Sequence, residues 1–528
     1  MTYDFVVIGA GSAGCVLTRR LVESGHSVLL LEAGPPDYTW DYRLHMPAAL
    51  SHVLSGRTYN WFYESEPEPG LDQRRLYCPR GKTLGGSSSI NGMIFVRGNP
   101  ADFDRWAMLT GYDDWDYAHC LPYFRRSESI GVGSAEYRGR EGPQRLTRGA
   151  LATPLFDAFF TAGQEAGFPF NDDMNGADQY GVGPFDRSIV GGRRYSTATA
   201  FLRPVMNDPR LTVKTRCQVE KLTLDGQRVT GCRFRAGGQW HEVSAAETLV
   251  CAGAVDSPAL LMRSGIGDPT VLAEANVPVR HELKGVGQNL QDHLEVYVQQ
   301  ACLQPVSLAP ALKWYNQIRI GLQWYLTNTG EGATNHFEAG GFIPSGVHLD
   351  YPDIQYHFLP IAMNYDGSQK VKGHGFQLHT GPMKPTSRGR IRIRSASPAD
   401  PPSILFNYAQ TEADRQVMRK AIRTAREIFS QPGFRDFAGP ELRPGADQQT
   451  DAELDQFVRQ HGESAYHPSC SCRMGSDEMS VVDSHARVHG LSGIRIADAS
   501  IMPEITNGNL NAPVIMIAEK VADAILTG

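Results

Sequence analysis

Asp4-Phe-Val-Val-Ile-Gly-Ala-Gly-Ser-Ala-Gly14 is a short β-branched run that ends in three spaced glycines. Residues 4–8 predict a buried strand. The stretch from Cys15 to Ser24 has Val16, Leu17, Leu21 and Val22 at helical spacing, and Gly25 ends it. Ser27 to Leu31 reads as a second buried strand that stops at Glu32. The three pieces make a βαβ unit of the dinucleotide-binding type. Gly9 permits the tight turn, Gly11 lets a pyrophosphate approach the backbone, and Gly14 lets helix and strand pack closely. The helix N-terminus offers free N–H groups to phosphate charge. Glu32 stands where an acid accepts from ribose hydroxyls. The motif alone does not separate NAD from FAD.

The rest of the chain bounds the class. It has 528 residues, with 51 Lys and Arg against 57 Asp and Glu, a formal charge of −6. A disordered chain would be less apolar and more charged, and a slightly acidic balance gives no case for nucleic-acid binding. No apolar run approaches the roughly 20 residues of a membrane helix. Nine cysteines, an odd number in a long chain, do not make a disulfide framework. The glycine motif is complete at Gly14, which leaves no room for a signal peptide before it. The expectation is a cytoplasmic protein with reduced thiols.

Residues 35–130, rich in Pro, Gly, Trp and Tyr, read as long loops and short helices over a binding site. Residues 211–250 suggest a small antiparallel sheet, with turns at Asp225-Gly226 and Gly237-Gly238. Residues 249–253 look like another buried strand entering a helix near Ser257-Pro258. Strand-like runs occur at 354–359 and 390–394, a helical run at 411–430, a late strand at 495–498, and a final amphipathic helix from Val514 to Leu526. No linker splits the chain, which fits interleaved domains.

Three further segments carry chemistry. Residues 79–92 (Pro-Arg-Gly-Lys-Thr-Leu-Gly-Gly-Ser-Ser-Ser-Ile-Asn-Gly) offer backbone and hydroxyl donors at close approach. They suit either a wrap around a cofactor or a flexible surface loop. Residues 466–475 contain His467, Cys470 and Cys472. The histidine suits a base, a metal ligand or a core residue, but one His beside Cys-x-Cys is a poor zinc set, so no metal is expected. Asp498-Ala-Ser-Ile-Met-Pro503 and Asn509-Leu-Asn511-Ala-Pro513 precede the last helix. They suit a second cofactor contact, or helix caps.

Together these segments resemble the glucose–methanol–choline (GMC) oxidoreductases, from about residue 4 to about 525. The specific parts are 9–14 with Leu31-Glu-Ala-Gly34, 81–92, Cys251-Ala-Gly-Ala-Val-Asp-Ser-Pro258, His467-Pro with Arg473-Met-Gly475, and Asp498-Ala-Ser500. Segments such as Tyr59-Asn-Trp61, residues 335–342 and residues 354–360 are most similar to the family's choline-oxidising members.

The resemblance implies an α/β fold of the GMC type. A Rossmann-like FAD-binding domain would take 1–155, 195–300 and 465–528. An interleaved substrate domain, an antiparallel sheet flanked by helices, would take 156–194 and 301–464. It implies FAD contacts from Gly9, Gly11, Ser12, Ala13, Gly14, Glu32 and Ala33, and from Gly81, Leu84, Gly85, Gly86, Ser87, Asn91, Gly92 and Met93. Val219, Ala252, Gly253, Asp498, Ala499, Asn509, Ala512 and Pro513 complete that set. Ile90 stands where one relative attaches FAD covalently through a His, so noncovalent FAD is expected.

The activity implied is oxidation of a primary alcohol by hydride transfer to flavin N5. The alcohol must also lose its hydroxyl proton, so a base is required. His467 matches that base, Asn511 the partner that hydrogen-bonds the same oxygen, and His357 a further active-site His. Choline, giving betaine aldehyde, is the expected substrate; another aliphatic or aromatic primary alcohol is the alternative. A trimethylammonium group needs aromatic faces and a carboxylate, for which Trp61, Phe337, Tyr466 and Glu338 are the candidates. Oxygen and a respiratory or quinone-type acceptor stay open. Some family members carry a polar tail and associate with membranes; this chain stops at Gly528, which sets the expectation against membrane association.

Overall fold

The computed structural model describes residues 2–347, 349, 351–363 and 373–527. Two seven-stranded sheets organise them. In the first, Leu211–Lys214, Val28–Leu31, Thr2–Ile8, Gln239–Val250 and Ile494–Ile496 run parallel. The register sets Phe5 to Ile8 against Val28 to Leu31 on one side and Glu247 to Val250 on the other. These residues are buried from Phe5 onward, as expected of parallel strands covered on both faces.

The anticipated antiparallel strands exist as Gln218–Asp225, Arg228–Ala236 and Gln239–Val250. They do not form a separate sheet. The last of them is long enough to pair with its hairpin partner early and with Ile494–Ile496 late, so the meander extends the parallel sheet.

The second sheet is antiparallel throughout. Its order is Ala438–Arg443, Leu294–Cys302, Gly375–Pro382, Ile354–Leu359, Ala339–Ile343 and Gly181–Pro184. Glu463–Ser464 adds to the start of Leu294–Cys302. The expected boundary at residue 300 therefore falls inside a strand of the second sheet.

The last helix, Asn511–Leu526, departs from expectation. Every residue from Ala512 to Ala522 is buried, so the helix is a core element and not a surface amphipath. Its polar positions are held in ion pairs: Glu519 with Arg20 and Arg126, and Lys520 with Asp114. A buried charge persists only when paired, and a hydrophobic pattern alone does not reveal such pairing. No helix among the described residues is long and apolar enough to cross a membrane.

Candidate active site

The turn after the first strand begins one long cavity. Gly9 has φ +100°, and a Cβ there would lie 2.5 Å from the Cys251 carbonyl oxygen. A Cβ on Gly14 would lie 1.9 Å from the Gly9 carbonyl oxygen, so this glycine is a packing residue behind the wall. Gly11 caps the helix Ser12–Glu23 without a side chain and lines the cavity, leaving the first helical N–H groups open to it. Glu32 Oε2 accepts from the Ala10 N–H at 3.0 Å and Oε1 from the Gly34 N–H at 2.8 Å. Burial raises its carboxyl to about 7.

Most of the expected cofactor residues line this cavity: Gly9, Gly11, Ser12, Ala13, Glu32, Ala33, Gly81, Gly86, Ser87, Asn91, Gly92, Met93, Val219, Ala252, Gly253, Asp498, Ala499 and Asn509. Gly14, Leu84, Gly85, Ala512 and Pro513 do not. Gly85 instead donates its N–H to the Ala10 carbonyl at 2.7 Å, fastening the serine–glycine segment onto the first turn. Asp498 Oδ2 accepts from Ser257 at 2.5 Å and from the Gly253 N–H at 2.9 Å, which pins the start of helix Gly253–Arg263.

The far end of the cavity lies where the two sheets meet. The segment 463–469 pairs with 291–295 through Glu463–Ser464 and the Gln291–Ser469 bridge. Beyond it, the Cys470 N–H donates to the Ala499 carbonyl at 3.0 Å, on the first-sheet side. His467 sits between. Its backbone N–H donates to Asp292 at 2.6 Å, and Asp292 also accepts from Ser464 and Tyr408 at 2.5 Å each. Tyr466 takes φ +66°, a conformation rare for a bulky residue and retained where surrounding bonds impose it. Arg80 supplies one such bond, donating to the Tyr466 carbonyl at 2.5 Å.

Hydrogen bonding assigns the His467 protons. His293 Nε2 lies 3.0 Å from the Met383 carbonyl oxygen, so this nitrogen carries the hydrogen. Burial pushes His293 down to about 3, so the ring is neutral and its Nδ1 bears a lone pair. His467 Nδ1 lies 3.0 Å from that lone pair and must donate. His467 is itself held well below the usual imidazole range by burial and by His293. Its proton therefore resides on Nδ1, and Nε2 is the free base, 3.1 Å from Asn509 Nδ2.

Asn509, and not Asn511, is thus the neighbour of the histidine. Asn511 Oδ1 accepts from Ser12 at 2.6 Å, at the first helix. It lies on the cavity wall beside the glycine turn. The two asparagines straddle Leu510 at the start of the last helix, and the change of direction there separates them. Lys384 fixes the approach, lying 3.0 Å from Asp102 and 3.1 Å from Glu504 while donating to the Ile505 carbonyl at 2.5 Å.

Two expected substrate contacts fail. Glu338 is committed to Arg187 at 2.8 Å, to Thr334 and to the Leu151 N–H at 2.7 Å, and it does not line the cavity. Trp61 lines the cavity, but its ring stacks on Tyr63 and carries the Lys82 ammonium 4.1 Å from its centroid. A cation already occupies that ring. Phe337, Tyr466 and His357 do line the cavity.

The carboxylate at this end is Glu295, which sequence reading missed together with His293 and His379. Glu295 and Tyr297 alternate along the strand Leu294–Cys302, and alternate residues share a face; His293 lies just before it. The register sets Tyr297 opposite His379 and His379 opposite His357. Glu295 Oε1 lies 3.3 Å from His379 Nδ1. The Phe337 ring meets His379 edge-on at 5.7 Å and His357 at 6.1 Å. Burial raises the Glu295 carboxyl to about 7 and lowers His357 to about 4.

Comparison with known proteins gives the family. GMC oxidoreductase family models match residues 3–295 and 385–518. The chain belongs to the GMC oxidoreductase family. It is 54 % identical, over 99 % of its length and 93 % of the relative's, to an oxygen-dependent choline dehydrogenase of Pseudomonas fluorescens (strain SBW25). Pyridoxine 4-oxidase from Mesorbium loti superposes with a TM-score of 0.91 at 32 % identity, covering both chains fully. A formate oxidase of Aspergillus oryzae RIB40, whose structure concerns FAD modification, gives 0.93 at 25 %, covering 100 % and 98 % of the two chains.

As a GMC oxidoreductase the protein is an FAD-dependent enzyme acting on alcohols. The cavity fits the cofactor. A Cβ on Gly11 would meet nothing closer than 3.9 Å and one on Gly253 nothing within 4 Å, so both present bare backbone to the open space. The helix N-terminus and the Ser87 hydroxyl suit a pyrophosphate. Among the described residues no His, Cys, Asp and Glu cluster suits a metal.

Proposed function

We propose that this protein oxidises choline to betaine aldehyde, with His467 as the base and Glu295 as the partner of the trimethylammonium group. One observation carries the reading: a neutral imidazole with its lone pair on Nε2 and a buried carboxyl share one end of a cavity whose other end fits FAD. The name of the Pseudomonas fluorescens relative supports choline and favours oxygen as acceptor.

FAD, when bound, supplies the hydride acceptor. His467 Nε2 takes the hydroxyl proton as the alcohol carbon gives up hydride. The Asn509 amide donates to the alcohol oxygen and fixes its lone pairs. His293 holds the His467 tautomer and accepts from the imidazolium that forms. The ring faces of Phe337 and Tyr466 take the ammonium methyl groups, and the Glu295 carboxylate supplies the countercharge. His357 completes the wall beside them. Pieces of the first sheet form the cofactor half and pieces of the second the substrate half. FAD is held noncovalently: Ile90 is packed among Leu44, Val53, Leu54 and Tyr59 and offers no nucleophile.

A second reading, a neutral aliphatic or aromatic primary alcohol, rests on Glu295. A carboxyl raised to about 7 is part-protonated at neutral pH and can donate to an uncharged substrate. Anaerobic mixing with choline, followed by air, tests both. Bleaching of the flavin by choline, and its return in air, is expected. Bleaching only by an uncharged isostere of choline overturns the ammonium assignment and keeps the His467 chemistry. Yellow colour that survives a denaturing gel overturns noncovalent attachment.

A further inference from the structure

Asn509 has a second neighbour besides His467. Gln355 Nε2 lies 3.3 Å from Asn509 Oδ1. Gln355 sits on the strand Ile354–Leu359, two residues before His357 and so on the same face. Its strand neighbours Ile354 and Tyr356 are fully buried, and Gln355 itself is only 1 % exposed. Its Oε1 has no hydrogen-bond partner among the described residues. The reverse assignment of that amide would set two oxygens 3.3 Å apart, so Nε2 is the atom that faces Asn509. His357 also reaches Asn509 but leaves its own Nε2 without a hydrogen bond. Gln355 therefore supplies the one hydrogen bond of defined geometry to Oδ1 among the described residues. A buried amide with one atom unpaired costs stability that an apolar side chain on the same core strand would not. The contribution of this amide lies in what it holds.

The backbone around Asn509 is fixed by other groups. Lys384 donates to the Ile505 carbonyl, Asp102 accepts from the Asn507 N–H at 2.7 Å, and the Gly508 N–H lies 3.4 Å from Met383 Sδ. On the far side Asn511 is bonded to Ser12. One freedom is left to the Asn509 side chain, the half-turn that exchanges Oδ1 and Nδ2. In the resting site the lone pair on His467 Nε2 selects Nδ2. Once His467 has taken the hydroxyl proton of the alcohol, Nε2 is a donor, and the same contact favours Oδ1. A half-turn would then withdraw the amide N–H from the alcohol oxygen as hydride leaves the carbon. Given the Asn509 role proposed above, we propose that Gln355 is a positioning residue: by donating to Asn509 Oδ1 it blocks that half-turn and keeps the Asn509 N–H on the alcohol oxygen throughout the transfer.

The test is a double-mutant cycle read by anaerobic flavin reduction in the FAD-loaded protein, with whichever alcohol reduces the wild-type flavin fastest. Gln355→Met keeps the length of the side chain and removes the donor. Its limiting rate of reduction should fall about three- to ten-fold, the equivalent of one neutral hydrogen bond. The alcohol concentration at half-saturation should stay within about two-fold, and thermal unfolding should come no earlier than in wild type. In the Asn509→Ala background the same substitution should change the rate by less than about two-fold, because the group that Gln355 holds is gone. If Gln355→Met does not fold, the near-isosteric Gln355→Glu, whose carboxylate cannot donate, carries the same cycle. A normal rate in the Gln355 variant overturns the proposal. So does a loss of equal size with and without the Asn509 side chain, which would mark a structural role. A normal rate in Asn509→Ala alone overturns the Asn509 reading and the Gln355 role with it, whereas a slow Asn509→Ala with additive losses overturns the Gln355 role only.

Discussion

The Nδ1 atoms of His293 and His467 lie 3.0 Å apart, and in the neutral pair only one of them carries a proton. The Met383 carbonyl decides which, because it claims the other nitrogen of His293. Replacing His293 by Leu removes the acceptor and frees His467 to place its proton on Nε2, where it is useless as a base. The expected outcome is a fall of about 10–100-fold in anaerobic flavin reduction. His467→Ala costs about 10²–10⁴-fold. Both variants keep their FAD. Reduction of the His293→Leu flavin at the normal rate would remove the relay.

Asn509 and Asn511 separate the two halves of the site. Asn509→Ala loses the donor beside His467 and lowers the rate of flavin reduction by about 10-fold or more, a step of about 1.4 kcal/mol. Asn511→Ala releases Ser12 at the glycine turn, so its main effect is weaker FAD retention, read by flavin content after gel filtration. A rate defect in Asn511→Ala with Asn509→Ala unaffected would restore the sequence assignment.

That exchange shows what the sequence carries. The first βαβ unit is local, and its glycines, helix stripe and terminal Glu32 all sit within one readable window. Asn509 and Asn511 are two residues apart, and only the turn into the last helix decides which meets a residue more than forty positions away. Glu295 and His379 are harder still. Their meeting depends on the register between Leu294–Cys302 and Gly375–Pro382, which no pattern inside either strand contains. An ionisable residue at an inward position of an apolar strand was the one available signal. Glu338 sits in an equally suggestive segment, but Arg187, some 150 residues earlier in the chain, claims it. The buried charges of the last helix escape for the same reason.

Glu295 makes a pH prediction with a defined sign. Its carboxyl rises from 4.5 to about 7 on burial, so the folded protein holds the proton more tightly than the unfolded chain. Its contribution to stability is full below pH 4.5 and is lost as pH rises through about 7, by up to about 3 kcal/mol. Glu295→Gln should therefore lose less stability than wild type between pH 5 and pH 8.5, measured by thermal unfolding of the FAD-loaded protein. In turnover the same proton has the opposite value, because only the carboxylate attracts a cation. kcat/KM for choline should rise through about pH 7, and the rise should vanish in Glu295→Gln. His467 is held too low to produce a limb in that range. An uncharged isostere should show no such rise; the same limb with both substrates would assign it to a group other than Glu295.

His379 Nδ1 lies 3.3 Å from that carboxyl, a close approach outside hydrogen-bond geometry, and its own tautomer is fixed from behind. The Met363 N–H donates to Gln377 Oε1 at 2.9 Å, which identifies the other amide atom as nitrogen. Gln377 Nε2 then donates to His379 Nε2 at 2.6 Å. Burial pushes His379 down to about 3, so it is neutral, and its remaining proton lies on Nδ1, facing Glu295. An Asn side chain can place an N–H near the position of His Nδ1; a Leu cannot. His379→Asn should therefore keep KM for choline within about three-fold of wild type, whereas His379→Leu should raise it about ten-fold, the equivalent of a hydrogen bond to a charged group. His379→Leu should also move the rise in kcat/KM to higher pH, because the carboxylate has lost the nearby N–H dipole that favours its charged form. A purely structural role would affect choline and its uncharged isostere alike and leave the pH profile where it was. An unmoved profile in His379→Leu would show that the imidazole packs against Glu295 without orienting it.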